Sequence, residues 1–513
     1  MYMTQALHRD VQQRGDAIAT VCGQRRRTYR ELAQRVSRLA GALRQLGVAS
    51  GDRVAMLALN SDRYLEYTLA CWWAGAVLNP VNTRWSAAEM AHSLNDCDTA
   101  VLLIDRQHLP LLPALREAMP GLRHVIVADD GPPPHGLLDY ETLIEETTPI
   151  EDALRGDRDL AGIFYTGGTT GVPKGVMLSH GNLYVAALGF LGCDHVVGED
   201  IALHVAPLFH LAGMSVMLNS LITGGRHVFI PAFEPKAVLQ AISKERVTHL
   251  ILVPTMLQQV IDDPSARNHD LSSLVRLQYA ASPMTSALLQ RAMSTLPNIR
   301  FVQAYGMTEL SPHATVLPSR YHEPAHHALG KLGSVGRAVH NVELRIIDRD
   351  GAEVPRGTVG EIVVRGPNVM QGYWKRPQDT AQALRGGWMH TGDGGFMDED
   401  GFVYLADRIK DMIITGGENV YSAEVENILS QHPDVAMCAV IGVPDERWGE
   451  CVHAFVMPKS GATPSVDELQ AHCKARIAGY KCPRSFDFVE SLPLSGTGKV
   501  LKAHLRKLRS QVR

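Results

Sequence analysis

The chain has 513 residues, too many for one ordinary hydrophobic core, so two or more domains are expected. A formal net charge of −4 and a pI near 6.6 argue against a nucleic-acid binder. The eight cysteines are scattered, with no C-x-x-C and no zinc spacing, which fits a reduced cytoplasmic protein better than a disulfide scaffold.

In chain order, Met1–Gly15 carries His8, Arg9, Asp10 and Arg14 without an apolar core, so it does not read as a secretory signal. Thr28 and Glu31 form a capping box, after which Leu32, Val36, Leu39, Leu43 and Leu46 recur at helical spacing up to Gly47. Arg53–Leu59 reads as a strand and Asp62–Ala74 as a helix, and this alternation continues to about residue 330. Gly131–Gly136 (G-P-P-P-H-G) is a surface connection.

Ile163 and Phe164 then read as a strand that leads into Tyr165–Val176, Y-T-G-G-T-T-G-V-P-K-G-V. Gly167, Gly168 and Gly171 leave backbone N–H groups room to close around an anion. Thr166, Thr169 and Thr170 add hydroxyl donors, Lys174 adds a positive charge, and Pro173 restrains the loop just before it. The spacing is not that of a Walker A loop, because Pro173 stands where the second glycine belongs. Ile201–Gly225 has no formal charge and the length of a membrane span, but His204, Pro207, His210, Asn219 and Gly224–Gly225 suit a buried helix beside a ligand pocket better. Gly336–Gly372 turns β-rich, with Asp350–Gly351 as a hairpin turn between two strands. From Lys410 a separate α+β unit is expected: a helix from Ser422, strands over Val435–Val443 and Cys451–Met457, and a second capping box at Ser465/Glu468.

The glycine- and threonine-rich loop resembles the phosphate-binding loop of the adenylate-forming superfamily, which holds acyl-CoA synthetases, firefly luciferase and the adenylation domains of peptide synthetases. Four further segments follow in that family's order: Q-A-Y-G-M-T-E at Gln303–Glu309, T-G-D at Thr391–Asp393, D-R-I-K-D-M-I-I-T-G-G-E-N-V at Asp407–Val420, and P-L-S-G-T-G-K-V at Pro493–Val500. The resemblance therefore covers essentially the whole chain. It implies an α/β fold: a large N-terminal domain (residues 1–406) of two α/β subdomains plus a distorted β-barrel, a hinge at 407–410, and a small mobile α+β C-terminal lid (411–513). The site is expected in the cleft between them.

The implied chemistry is attack of a carboxylate on the α-phosphate of ATP, with pyrophosphate leaving, and then transfer of the acyl group to coenzyme A. By resemblance Thr166, Gly167, Gly168, Thr169, Thr170 and Lys174 cradle the β- and γ-phosphates, and Thr308 donates to the α-phosphate. Glu309 and Thr166 are the candidate ligands of Mg²⁺, since a hard cation prefers oxygen. Tyr305 beside Gly306 offers a face for adenine, with backbone around Ser282 contributing, and Asp393 and Arg408 hold the ribose hydroxyls. Lys499 matches the mobile catalytic lysine, Lys410 the hinge, Gly416 and Gly417 the border of the pantetheine tunnel, and His210 a gate near the carboxylate. His322, His326 and His327 are adjacent in a loop and lack the spacing of metal ligands.

Leu211–Ile222 contains no acid to pair an ammonium, so an amino-acid substrate is not expected. A hydrophobic monocarboxylic acid is, with a medium or long aliphatic chain preferred and an aryl or hydroxycinnamate acid as the alternative. A non-catalytic acyl-adenylate or CoA binder and a luciferase-like oxygenase are the readings from other classes. The basic tail Lys502–Arg513 reads as a solvated helix face, with weak peripheral contact to anionic lipid as its alternative. A homodimer is compatible with these features.

Overall fold

The computed structural model describes residues 1–166, 173–194, 200–408, 411–415, 418–445, 447–494 and 500–511, with side chains left out at 407, 408, 419, 510 and 511. The described residues form four sheets. One has nine strands, in the spatial order Arg337–Ala338, Thr315–Leu317, Arg300–Tyr305, Arg276–Tyr279, His249–Leu252, Ile201–His204, Arg226–Phe229, Ile18–Cys22 and Arg25–Thr28. It is parallel except at its two edges. The second has eight strands, ordered Gly372–Tyr373, Lys174–Ser179, Leu160–Thr166, Val77–Pro80, Arg53–Leu57, Val101–Ile104, His124–Val127 and Leu138–Asp139. The interior strands of both are short apolar runs such as V-L-L-I at 101–104, buried residue by residue, as strands covered on both faces must be.

Helices Tyr29–Gln45, Asp62–Trp73 and Leu211–Thr223 contribute to one continuous core together with strands of the eight-stranded sheet. Asp62–Trp73 is buried along its whole length, so its charged residues need internal partners. Asp62 meets Arg25 at 2.8 Å, and Glu66 meets Arg35 at 2.7 Å, Arg27 at 3.1 Å and the Tyr140 hydroxyl at 2.8 Å. Just before this helix, buried Asn60 ties the two large sheets together. Its amide donates to the Ala206 carbonyl at 3.0 Å and accepts from Leu208 N at 2.9 Å.

A four-stranded antiparallel sheet follows, ordered Glu343–Ile347, Gly360–Arg365, Met389–Met397 and Val403–Arg408. Asp350–Gly351 closes an inner bridge from Ile347 to Glu353, with Gly351 at φ 85°, while the paired strands on either side lie further apart in sequence than a simple hairpin. The last sheet holds Glu418–Val420, Ile413–Thr415, Gly449–Pro458 and Val435–Asp445, with Ser485–Phe488 beside Gly449–Pro458.

Both expected capping boxes are present, at Thr28/Glu31 and at Ser465/Glu468. The expectation of one helix over Ile201–Gly225 needs correction. Ile201–His204 is a central strand, Pro207 breaks the chain, and the helix runs from Leu211 to Thr223 before Gly224 ends it at φ 74°. None of the helices among the described residues is long and apolar enough to cross a membrane.

Glu66→Ala removes the buried carboxylate shared by Arg27, Arg35 and the Tyr140 hydroxyl, leaving Arg35 with Glu141 at 2.8 Å and Arg27 with Asp62 at 3.6 Å. It should lower stability by about 3–5 kcal/mol, read from urea unfolding followed by the fluorescence of the adjacent Trp72 and Trp73. A loss below about 1 kcal/mol would mean that water replaces the carboxylate at little cost.

Candidate active site

The expected phosphate loop hangs on an antiparallel hairpin. Leu160–Thr166 pairs with Lys174–Ser179, and Thr166 opposite Lys174 is the last register pair before the turn. The turn itself, with Gly167, Gly168, Thr169 and Thr170, lies outside the described residues, as do Lys410, Gly416, Gly417 and Lys499 and the side chain of Arg408. The outer edge of Lys174–Ser179 is covered by Gly372–Tyr373, which runs antiparallel to it.

That pairing brings together residues far apart in sequence. The Lys174 ammonium lies 2.6 Å from an Asp379 carboxylate oxygen and 5.3 Å from the centroid of the Tyr373 ring. The Tyr373 hydroxyl donates to Glu309 Oε1 at 2.8 Å, so one aromatic side chain touches both the loop lysine and the candidate metal carboxylate. Glu309 is 6% exposed, and its carbonyl accepts from Met370 N at 2.9 Å, which fixes the backbone on which it sits.

Tyr305 ends the strand Arg300–Tyr305, and its hydroxyl donates to Asp393 Oδ2 at 2.8 Å. Asp393 itself stands in register with Arg408 across the adjacent strand, so the two expected ribose residues share a rung. After Tyr305 the chain doubles back: Ala314 N donates to the Tyr305 carbonyl at 2.8 Å, and a Cβ added at Gly306 would fall 1.8 Å from the Pro312 carbonyl oxygen. Only glycine permits this fold-back, which places Thr308 and Glu309 in a buried 3-10 turn. Buried Asn368 pins it by donating to the Leu310 and His313 carbonyls at 2.9 and 2.8 Å.

The same loop buries His313 behind the Tyr305 strand, stacked on Phe190 with ring centroids 4.7 Å apart. Among the described residues its Nδ1 has no hydrogen-bond partner, and burial pushes its pKa down to about 4, so the ring is neutral. Ser282 lies in the turn after Arg276–Tyr279, where Ala281 adopts φ 73°. His210 caps the helix Leu211–Thr223, its Nδ1 accepting from Ala212 N at 3.1 Å. In the histidine-rich loop, His322 accepts from or donates to the Tyr279 hydroxyl at 2.9 Å, and His327 meets the His322 carbonyl at 2.9 Å. A cavity of about 180 Å³ opens between the carboxyl ends of strands from both large sheets, lined by Asn60, Thr83, Arg84, His108, Pro207 and Met256 among others. None of the described site residues expected from the sequence lines this cavity.

Tyr373, Asp379, Asn368 and His313 were not singled out from the sequence. Tyr373 lies within G-Y-W at 372–374 and Asp379 follows it, neither with a chemical signature of its own, and only the strand pairing delivers them.

Comparison with known proteins identifies the architecture. Residues 7–374 match the AMP-binding enzyme family, and residues 424–499 match the AMP-binding enzyme C-terminal domain. The chain belongs to this family. It is an AMP-forming acid–thiol ligase that works through an acyl-adenylate, with ATP, CoA and a small carboxylic acid as substrates. It is 43% identical over 484 residues to a feruloyl-CoA synthase of an Amycolatopsis species, covering 94% of this chain and 93% of that one. It is 37% identical over 494 residues to a fatty acid–[acyl-carrier-protein] ligase of Streptomyces coeruleorubidus, covering 95% and 92%. Among solved structures, an anthranilate CoA ligase in complex with anthranoyl-AMP superposes with a TM-score of 0.93 at 29% identity, over 100% of this chain and 98% of that one.

Tyr305→Phe removes the hydroxyl that Asp393 accepts. Losing a hydrogen bond to a charged group should cut kcat/KM for ATP by about tenfold or more, measured as acid-dependent pyrophosphate release. An unchanged value would show that Asp393 is oriented by other contacts.

Proposed function

We propose that this ligase activates an aromatic carboxylic acid of the hydroxycinnamate or benzoate type. The observation that carries the proposal is the 43% identity to a feruloyl-CoA synthase across nearly the full length of both chains. The aliphatic preference expected from Leu211–Ile222 alone gives way to its aryl alternative, because an apolar helix face receives a methylene chain and an aromatic ring equally well. His313 supports the same choice. It is a neutral, buried imidazole with one unpartnered nitrogen, stacked against Phe190 behind the Tyr305 strand, and a phenolic hydroxyl gives that nitrogen the partner an alkyl chain lacks.

In the proposed mechanism a substrate carboxylate oxygen attacks the α-phosphorus of ATP, and the bond from that phosphorus to the bridging oxygen breaks as pyrophosphate leaves. Lys174 and the loop through Gly167, Gly168, Thr169 and Thr170 hold the β- and γ-phosphates, while Thr308 donates to the α-phosphate. Glu309, with Thr166, would hold Mg²⁺. A single buried carboxylate suits a cation whose remaining ligands are phosphate oxygens and water, and the ion would neutralise charge between the phosphates. Tyr305, Gly306 and the backbone at Ser282 receive adenine, and Asp393 and Arg408 receive the ribose. His210 closes the site beside the carboxylate, where a capped helix start holds its ring in place. Lys499 bridges the carboxylate and α-phosphate in this step only. Rotation about Lys410 then withdraws it and brings Gly416 and Gly417 beside the pantetheine, so that the CoA thiol attacks the acyl carbon and AMP leaves.

With a panel of acids, kcat/KM for ferulate or 4-hydroxybenzoate should exceed that for octanoate by about a hundredfold or more. His313→Leu should cost the hydroxylated acid about tenfold while leaving unsubstituted cinnamate within about twofold. A preference for octanoate would overturn the aryl assignment, and equal losses on both acids would remove His313 from it. Lys499→Ala should abolish adenylate formation by about a hundredfold or more while sparing thioester formation from supplied acyl-adenylate, because its charge is needed only while pyrophosphate departs. Equal loss in both half-reactions would contradict the two-step assignment.

A further inference from the structure

We propose that Asp379 is a positioning residue that acts as the resident counter-ion of Lys174: it holds the lysine when the nucleotide is absent, yields it to the phosphates, and reclaims it as pyrophosphate leaves. The proposal rests on the reading of Lys174 as a phosphate ligand and goes beyond it by naming the group against which the phosphates compete.

The contact is close, at 2.6 Å from Nζ to Oδ1, yet both side chains remain partly open to solvent, at 21% and 30% exposure. A ligand that enters the site can therefore reach the pair. Lys174 has little freedom to avoid Asp379, because its backbone pairs with Thr166 and the next residues of its strand are held on the other edge, where Trp374 N donates to the Gly175 carbonyl at 2.7 Å and Tyr373 stands opposite Val176. Asp379 is equally anchored. It lies in the first turn of the short helix Pro377–Ala383, and Thr380 Oγ1 in the same turn accepts from Tyr373 N at 2.9 Å. The Tyr373 ring lies beneath the lysine and its hydroxyl reaches Glu309, so the segment 372–380 reaches the loop lysine and the candidate metal carboxylate together.

Arg376 stands 3.9 Å from the second Asp379 oxygen, and the Tyr373 hydroxyl donates to Glu309 Oε1 at 2.8 Å. A carboxylate so placed repels a polyphosphate and competes with it for one ammonium. Because partly exposed ion pairs are weak, the competition is settled in favour of the tetravalent ligand, and Asp379 lowers affinity without blocking entry. The same competition weakens pyrophosphate, whose retention would otherwise slow turnover.

The test uses the full-length enzyme with ATP and inorganic pyrophosphate as the probes. Asp379→Asn should lower KM for ATP and the inhibition constant of pyrophosphate by about threefold each, with kcat moving less than either. Both effects should shrink as salt is raised. Asp379→Glu, which restores the charge, should return both constants toward those of the parent enzyme. Lys174→Met should raise KM for ATP, and adding Asp379→Asn to it should bring no further fall. If Asp379→Asn raises KM for ATP, leaves it unchanged, or still lowers it in the Lys174→Met background, Asp379 is not the counter-ion of that lysine. If Lys174→Met leaves KM for ATP unaltered, the error lies earlier, in the assignment of Lys174 to the phosphates, and the proposal falls with it.

Discussion

An antiparallel hairpin at the end of a parallel sheet is the constraint on which the rest of the site depends. The last pair of this hairpin, Thr166 with Lys174, lies at the carboxyl end of Leu160–Thr166, at the rim of the sheet. A sheet edge with unpaired backbone groups must also be covered, and here Gly372–Tyr373 covers it. The satisfaction of backbone hydrogen bonds thus delivers an aromatic ring and a carboxylate, more than two hundred positions down the chain in the case of Asp379, to the side of Lys174.

The second large sheet supplies the remaining groups by a different device. Its strand Arg300–Tyr305 ends at Gly306, where the chain turns so tightly that a Cβ would collide with the Pro312 carbonyl. The outgoing turn carries Thr308 and Glu309, and the returning loop carries His313, so one fold-back builds both. Asn368 locks this fold-back, and Asn60 joins the two large sheets, each through amide hydrogen bonds to backbone carbonyls. Glu309, Asp379 and Asp393 make the described part of the site rich in carboxylates.

Much of this was legible from residue order. The capping boxes at Thr28 and Ser465, the strand at Arg53, the buried helix at Asp62 and the β-rich stretch before Gly372 all depend on neighbours within a few residues, and local propensity governs them. Ile201–Gly225 misled because an uncharged run has no periodicity to separate a central strand from a buried helix, and the break at Pro207 carries the distinction. The contacts of Lys174 and Glu309 were illegible for a different reason. They are set by which strand covers which edge, and no spacing in the chain encodes that Tyr373 lies against Lys174. Substrate class was illegible from Leu211–Ile222 for a third reason: hydrophobic burial is non-directional, so an apolar helix face does not separate an aromatic ring from a methylene chain.

The central claim, acid activation through an adenylate before CoA takes part, is tested most directly by isotope exchange between pyrophosphate and ATP in the absence of CoA. Exchange that appears only when an aryl acid is added, with thioester and AMP formed in equal amounts once CoA is supplied, is the expected result. Exchange without acid, a strict need for CoA before any exchange, or release of ADP and phosphate in place of AMP and pyrophosphate would contradict it.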